Sequence, residues 1–168
     1  MRNKEIRKIV FASLFAAIAS VIKILTPDTG PGRIGFFQVP IMLSGYYLGG
    51  GIGLVVGLVA DSAYMIHRGY GPSLFTLSTM IWGLSGGILR KFRPNLAMVI
   101  IVVLMTAFLE TTINSFAIAF FTPNGAGWIT FVSGLSFRGI SFVIRIPFYI
   151  VSVRYLIQRF EIMELDFQ

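Results

Sequence analysis

The sequence predicts an all-α integral membrane protein, a six-transmembrane-helix bundle with both termini in the cytoplasm. Of its 168 residues, 55% are hydrophobic and only 12% are charged, whereas a soluble domain carries about 25% charged residues. Apolar runs of roughly 15–25 residues recur along the whole chain, close to the length that crosses a bilayer. Basic residues gather at alternate ends of these runs, as they do in cytoplasmic loops. These observations exclude an ordinary soluble enzyme and a disordered chain.

The first helix is expected over residues 9–25, behind an amino-terminal segment rich in arginine and lysine. A positive segment, an apolar core and the small residues at 17–19 also fit a cleaved signal peptide. The apolar run is slightly longer than such a peptide needs, so a membrane-spanning helix is the preferred interpretation. Proline and glycine in residues 26–32 then predict a loop.

Segments rich in glycine, proline or basic residues separate the elements that follow. We expect helices over residues 34–48, 51–66, 74–89 and 96–121, and a last helix or helix pair over 128–158. The second helix is short and ends at three consecutive glycines. Because six spans of about 20 residues use up this length, residues 1–168 are expected to form a single domain.

The distribution of positive charge predicts the orientation. With both termini inside, the outer loops and their borders contain Lys23, Arg33 and Arg68. The inner segments contain the larger set Arg2, Lys4, Arg7, Lys8, Arg90, Lys91, Arg93, Arg154 and Arg159. This asymmetry satisfies the positive-inside rule for a multi-pass protein of a bacterial-type cell membrane. It also accounts for the net charge of +7, so no nucleic-acid partner is expected.

Charged residues are also expected inside the spans, at Asp61, Glu110, Arg138 and Arg145. Each costs at least about 2.5–3.5 kcal/mol at the centre of a span and therefore needs a reason. They either pair as structural salt bridges or line a polar cavity for an anionic or hydrogen-bonding solute. Aromatic side chains at the loop borders are candidates to stack on a flat ligand ring. These are Phe36, Phe37, Tyr64, Tyr70, Phe75 and Trp128.

Small residues recur at a four-residue spacing, which lets helix backbones approach closely in lipid. In the third and fourth helices, the glycines from Gly49 to Gly57 and at Gly83 and Gly87 indicate packing inside the bundle. Ala12 and Ala16 lie on the first helix, which also carries serines. We interpret these two alanines as a face that docks on another protein, with internal packing as the alternative.

The sequence carries no set of residues suited to catalysis. Residues 83–87 match the serine motif of intramembrane proteases, but Ser85 would need a base. His67 is the one histidine, and it is expected in an outer loop, far from Ser85 near the cytoplasmic end of its helix. Neither metal-ligand spacing nor a phosphate-binding Gly-x-x-x-x-Gly-Lys motif occurs. We therefore expect a protein that is not an enzyme and has no metal or cofactor of its own.

Several segments resemble the substrate-binding S component of energy-coupling-factor (ECF) vitamin transporters, and in particular its folate branch. They are the Ala12-x-x-x-Ala16 pattern, residues 33–41 (RIGFFQVPI), the Gly53-x-x-x-Gly57-x-x-x-Asp61 pattern, residues 71–78 (GPSLFTLS), residues 112–115 (TINS) and the helix from Arg138 to Ile146-Pro147. Together these segments lie within residues 9–158, which is nearly the whole chain.

The resemblance implies a membrane-embedded substrate-binding subunit of an ABC-type vitamin importer. It implies a small-molecule vitamin that enters from outside into a pocket closed by outer loops. It also implies a transmembrane coupling subunit that docks at Ala12 and Ala16, and two cytoplasmic ATPase subunits that hydrolyse the ATP. S components for pantothenate, cobalamin and other vitamins share much of this frame, so they remain alternatives to folate. A stand-alone secondary transporter is a further alternative.

Folate is a flat pteridine joined to a dicarboxylate tail, so its pocket needs aromatic faces, hydrogen-bonding groups and a cation. The expected pocket residues are the aromatics Phe36, Tyr64 and Phe75, the neutral partners Thr76 and Asn114, the cations Arg33 and Arg138, and the acids Asp61 and Glu110. The acids either accept hydrogen bonds from the pteridine amino groups or neutralise an arginine, and for Asp61 we prefer the second role.

Overall fold

The structure, a computed structural model, describes residues 2–27, 35–71, 73–92, 95–121 and 127–162. Over these ranges the chain is helical and contains no strand. The helices are α1 (Arg2–Leu25), α2 (Gln38–Leu48), α3 (Gly50–Arg68), α4 (Phe75–Lys91), α5 (Leu96–Phe121) and α6 (Trp128–Ile162). The predicted all-helical fold is therefore confirmed for the described residues.

The helix bounds follow the apolar runs of the sequence, with three differences. The second helix begins at Gln38 rather than at residue 34, which places Pro40 in the first turn, where its missing N–H costs nothing. Helix α5 begins and ends where it is predicted, whereas α1 begins at Arg2, because its charged first turns are also good helix formers. Helix α6 is one continuous helix with Pro147 inside it. Among the described residues, α1, α3, α5 and the second half of α6 are long and apolar enough to cross a membrane. Six spans and cytoplasmic termini stay predictions.

Helix α2 is short and lies at the centre of the bundle. Its 11 residues rise about 16 Å, roughly half of the 30 Å hydrocarbon core of a bilayer. All of them are buried except Tyr46 and Tyr47, which are partly buried. A helix that is apolar on every side is expected to be enclosed by others, and α1, α3, α4 and α6 all pack on α2.

Helices α2, α3 and α4 touch through their backbones at glycines. A Cβ at Gly83 would lie 2.0 Å from the carbonyl oxygen of Gly53, and one at Gly45 would lie 1.9 Å from the carbonyl oxygen of Gly83. The predicted packing role of the glycine series is confirmed at these positions. Gly49 has another use, since its φ of +103° forms the sharp link between α2 and α3, a conformation that glycine adopts without strain.

The alanine face of α1 points into the bundle. Ala16 is only 6% exposed and belongs to the hydrophobic core, and Ala12 packs against the same core. In the isolated chain these two alanines thus pack inside the bundle, and docking of a partner at Ala12 and Ala16 stays a prediction. The physical reason is the small size of the side chain, which lets α1 approach α2 and α3 closely. The exposed face of α1 carries Ile9, Val10, Leu14, Ile18 and Val21.

Candidate functional site

Two groups of buried polar side chains lie inside the helical bundle. The Asp61 cluster consists of Lys23, Asp61, Thr76 and Thr79, and it joins α1, α3 and α4. The Glu110 cluster consists of Gln38, Trp82, Glu110, Thr111, Asn114, Ser115, Arg138, Arg145 and Tyr149, on helices α2, α4, α5 and α6. Buried polar groups are costly unless they are hydrogen-bonded, so the partners of each group decide what it can do.

The Asp61 cluster is a buried ion pair with its own hydrogen bonds. Lys23 Nζ pairs with Asp61 Oδ1 and donates to Thr79 Oγ1 at 3.0 Å. Thr76 Oγ1 donates to Asp61 Oδ2 at 2.6 Å. The ammonium group also lies 4.5 Å from the ring centroid of Phe37, within the range of a cation–π contact. Both oxygens of the Asp61 carboxylate therefore have partners within the chain.

The contacts of Asp61 bear on whether this residue neutralises a cation or binds the ligand, a choice that the sequence leaves open. Asp61 neutralises a cation, as preferred, but that cation is Lys23 rather than an arginine. Tyr64 lies beside the same ammonium group, with its ring centroid 5.5 Å from Lys23 Nζ. Lys23 falls at the end of α1, where the sequence had indicated only a basic residue at an outer border. No spacing in the sequence links Lys23 to Asp61, which lies 38 residues further on.

The Glu110 cluster is centred on a carboxylate that α2 and α4 hold in place. Gln38 Nε2 donates to Glu110 Oε1, and Trp82 Nε1 donates to Glu110 Oε2, each at 3.2 Å. Gln38 is the first residue of α2 and is 1% exposed. The carboxylate therefore has a fixed position, with one N–H donor on each oxygen.

Helix α6 brings two guanidinium groups to the Glu110 cluster. Arg138 Nη1 donates to Ser115 Oγ at 3.2 Å, and Glu110 acts on Arg138 through its charge. Arg145 Nε donates to the carbonyl of Ser141 at 3.3 Å, and its charge acts on both Arg138 and Tyr149. Both arginines are buried. A carboxylate and two guanidinium groups thus share one interior region, and this combination can hold a ligand that carries both donors and a negative charge.

Three buried atoms of the Glu110 cluster have no hydrogen-bond partner within the described part of the chain. They are Gln38 Oε1, Thr111 Oγ1 and Asn114 Oδ1. Asn114 lies four positions after Glu110 and three after Thr111, so its side chain neighbours both of theirs on the surface of α5. An unsatisfied buried polar group costs about 1–3 kcal/mol, and each such group in a native structure calls for an explanation.

An aromatic wall joins the Glu110 cluster to the residues that precede α2. The Tyr149 ring lies edge-on to Trp82, with 5.2 Å between centroids, and its hydroxyl donates to the carbonyl of Gly35 at 2.8 Å. Phe36 packs edge-on against Phe148 and Tyr149 at 5.9 and 6.4 Å. Phe36 is also exposed, with 42% of its surface accessible.

The residues that the sequence predicts for the pocket fall into two separate groups in the structure. Glu110, Asn114 and Arg138 come together in the Glu110 cluster, and Phe36 adjoins its aromatic wall. Asp61, Tyr64 and Thr76 gather around Lys23, next to Phe75 at the start of α4. Arg33 lies outside the described residues. No group of three or more potential metal-ligating residues occurs among the residues described.

Sequence reasoning missed Gln38, Trp82, Thr111, Ser115 and Tyr149. Gln38 carries a usable signal, because it is a lone amide at the start of a helix that is otherwise apolar on all sides. Thr111 follows a buried glutamate directly, which is a weaker signal. The other three residues are common in apolar helices, and only the packing of α4, α5 and α6 shows what they contact.

Comparisons with known proteins show what the fold is similar to. No protein-family model matches the sequence, and no curated protein matches it. Among solved structures, the chain is similar to a crystal structure of FolT bound with folic acid. The TM-score is 0.70 and the sequence identity is 23%, over 88% of this chain and 90% of that one. This likeness shows that the two chains share a fold.

Proposed function

We propose that this protein is the membrane-embedded S component of an ECF-type vitamin importer and that its vitamin is folate. The Glu110 cluster carries the proposal, because it places a carboxylate, two guanidinium groups and unpartnered polar atoms inside a bundle of apolar helices. Ionisable groups in such a place mark functional sites by default. The resemblance of the sequence to S components and the fold shared with FolT, which was crystallised with folic acid, support it.

The Glu110 cluster offers a partner for each part of folate. The aromatic wall beside Phe36 suits the flat face of the pteridine. Glu110 and Asn114 provide oxygen acceptors for its amino group, and Arg138 provides a cation for a carboxylate of the tail. Asp61 is assigned to its ion pair with Lys23 and not to the ligand.

In this proposal the chain captures the vitamin and performs no chemistry of its own. A transmembrane coupling subunit docks on α1, and two cytoplasmic ATPases supply the energy of ATP hydrolysis. Because Ala12 and Ala16 both face the bundle in the isolated chain, the proposed docking surface is the exposed apolar side of α1. Copurification with a coupling subunit and two ATPases supports this role, and uptake by the chain alone supports a secondary transporter instead.

Calorimetric titration of the detergent-purified protein with folic acid, pantothenate and cobalamin tests the assignment. We expect binding of folic acid, and we expect Arg138→Ala to weaken it about 10- to 150-fold, because a charge-assisted hydrogen bond contributes about 1.5–3 kcal/mol. Arg154→Ala is the matched control, since it removes an arginine from the same helix 16 residues further on. Tighter binding of pantothenate or cobalamin contradicts the choice of vitamin, and unchanged affinity in Arg138→Ala contradicts the pocket.

A further inference from the structure

The start of α2 is held by a side chain from a distant helix. Its N-cap residue is Phe37, which makes no capping hydrogen bond, whereas serine, threonine, asparagine or aspartate usually occupies this position. Two residues earlier, the carbonyl of Gly35 accepts a hydrogen bond at 2.8 Å from the hydroxyl of Tyr149 on α6. These two partners lie 114 residues apart in the chain. The segment that leads into α2 is therefore fixed by α6 and not by a cap of its own.

Tyr149 has a fixed position beside the Glu110 carboxylate. It is 1% exposed, and its ring lies edge-on to Trp82 with 5.2 Å between the centroids. Trp82 is also 1% exposed, and its Nε1 donates to Glu110 Oε2 at 3.2 Å. Large side chains in a close-packed interior cannot change rotamer without displacing their neighbours. The Tyr149 hydroxyl therefore lies at a set position relative to the Glu110 carboxylate.

Phe36 follows Gly35 directly, so the bond from Tyr149 to the Gly35 carbonyl also fixes the backbone next to the Phe36 ring. This ring packs edge-on against Tyr149 at 6.4 Å between centroids but remains exposed. The other side of Gly35 leaves the backbone little room. A Cβ at this glycine would lie 2.9 Å from Cδ1 of Phe37 and 3.3 Å from Cγ2 of Thr26. The hydroxyl on one side and this close packing on the other together hold the segment that carries Phe36.

We propose that Tyr149 is a positioning residue that sets where the Phe36 ring lies relative to the Glu110 carboxylate. The inference rests on the proposed function, in which the face of the pteridine lies beside Phe36 and its amino group meets Glu110. Phe36 precedes α2 and Glu110 lies on α5, so their relative position depends on the contacts between helices. A site whose groups already stand at the right separation loses less free energy to ordering when the ligand binds. Tyr149 supplies this order without a contact of its own to the ligand.

Tyr149→Phe keeps the ring beside Trp82 and removes only the hydroxyl. The Gly35 carbonyl then loses this donor, so the arrangement that fits the ligand is less populated, and the apparent affinity falls with that population. From the usual contribution of one hydrogen bond, the dissociation constant for folic acid should increase about 2- to 12-fold. The matched control is Tyr155→Phe on the same helix, because the Tyr155 hydroxyl accepts from the exposed Arg159 outside the Glu110 cluster. This control should bind like the wild type.

A double-mutant cycle with Phe36→Leu distinguishes positioning from a merely structural role. Phe36→Leu alone should weaken the binding of folic acid about 2- to 12-fold, because it removes an aromatic contact with the ligand. If Tyr149 acts through the Phe36 ring, adding Tyr149→Phe to Phe36→Leu should change the dissociation constant by less than about twofold. A tyrosine that only stabilises the bundle would lower the melting temperature and leave both affinities unchanged. Equal fold-changes in the two backgrounds, or unchanged binding in either single variant, overturn the inference.

Gly35→Ala perturbs the same segment and leaves the Tyr149 hydroxyl in place, so it decides the question if Tyr149→Phe does not fold. The new methyl group forces the Phe37 ring, and with it the neighbouring backbone of Phe36, to shift. It should therefore weaken binding in the wild-type background and change it by less than about twofold in Phe36→Leu. Equal effects in the two backgrounds again overturn the inference. Failure of the wild type to bind folic acid contradicts the proposed function and this inference together, whereas additive effects in a protein that binds folic acid overturn this inference alone.

Discussion

The buried pair of Lys23 and Asp61 makes a sharp prediction about stability. Lys23→Met removes the ammonium group and leaves the Asp61 carboxylate buried with only threonine hydroxyls as donors. Breaking a buried ion pair on one side costs about 3–5 kcal/mol. For a chain of this length, this corresponds to a fall in melting temperature of about 6–20 °C. Asp61→Leu should cost a similar amount, because it leaves the ammonium group buried without its carboxylate.

The double variant separates the two roles that the sequence allowed for Asp61. Replacing a whole buried pair by apolar residues is often neutral or even stabilising, so Lys23→Met combined with Asp61→Leu should recover most of the stability lost in either single variant. It should also bind folic acid with the affinity of the wild type, since the proposal assigns Asp61 no contact with the ligand.

The assay is a thermal unfolding curve in detergent for the four members of this cycle, followed by calorimetric titration. The matched control is the ion pair between Lys8 and Glu5 on the outside of α1, whose side chains are 35% and 70% exposed. An exposed pair contributes about 0–1 kcal/mol, so Lys8→Met should hardly change the melting temperature. A double variant that is folded but no longer binds folic acid would refute the structural role and place Asp61 in the pocket.

The remaining predictions concern the glycine contacts and the topology. Gly83→Ala places a methyl group 2.0 Å from a backbone oxygen of α3, so it should destabilise the protein by more than about 3 kcal/mol. In the control Gly51→Ala, the new methyl group meets nothing within 4 Å, so the substitution should be neutral or slightly stabilising. Similar melting temperatures for the two variants would contradict the backbone contact. The chain has no cysteine, so a single introduced cysteine can be labelled specifically. A cysteine at Gly71 should react with an impermeant reagent on intact cells, and one at Asn95 should not. The reverse pattern would contradict cytoplasmic termini.

The sequence predicts the helices well because their signals are local. The run of apolar residues over Leu96–Phe121 coincides with α5 at both ends, and three consecutive glycines coincide with the break between α2 and α3. The glycine spacing also predicts the close packing of α3 on α4, because a helix face without side chains lets another helix backbone approach closely. In each case a single segment carries the whole signal.

The candidate site is less predictable because it depends on contacts between distant segments. Charge inside an apolar helix marks Glu110 and Arg138 from the sequence alone. Their partners, Trp82 and Ser115, lie on different helices, and no local sequence pattern shows how those helices pack together. The same limit explains the interpretation of Ala16. A small residue on an amphipathic face is equally suited to packing inside a bundle and to docking outside it, and only the position of α1 against α2 and α3 decides between them.

The backbone contacts between α2, α3 and α4 have a consequence for motion. Where helices touch through glycines, no layer of side chains can change rotamer to absorb a displacement, so we expect these three helices to move as one rigid body. Helix α5 instead meets them through side chains, which include the hydrogen-bonded Gln38, Trp82 and Glu110 and the apolar Val103 and Ala107. The Glu110 cluster therefore lies between the glycine-packed helices α2, α3 and α4 and helix α5, whose contacts with them involve side chains that can adjust. We therefore expect a rearrangement that accompanies entry of a ligand to involve α5, α6 and residues 35–37 more than the glycine-packed helices.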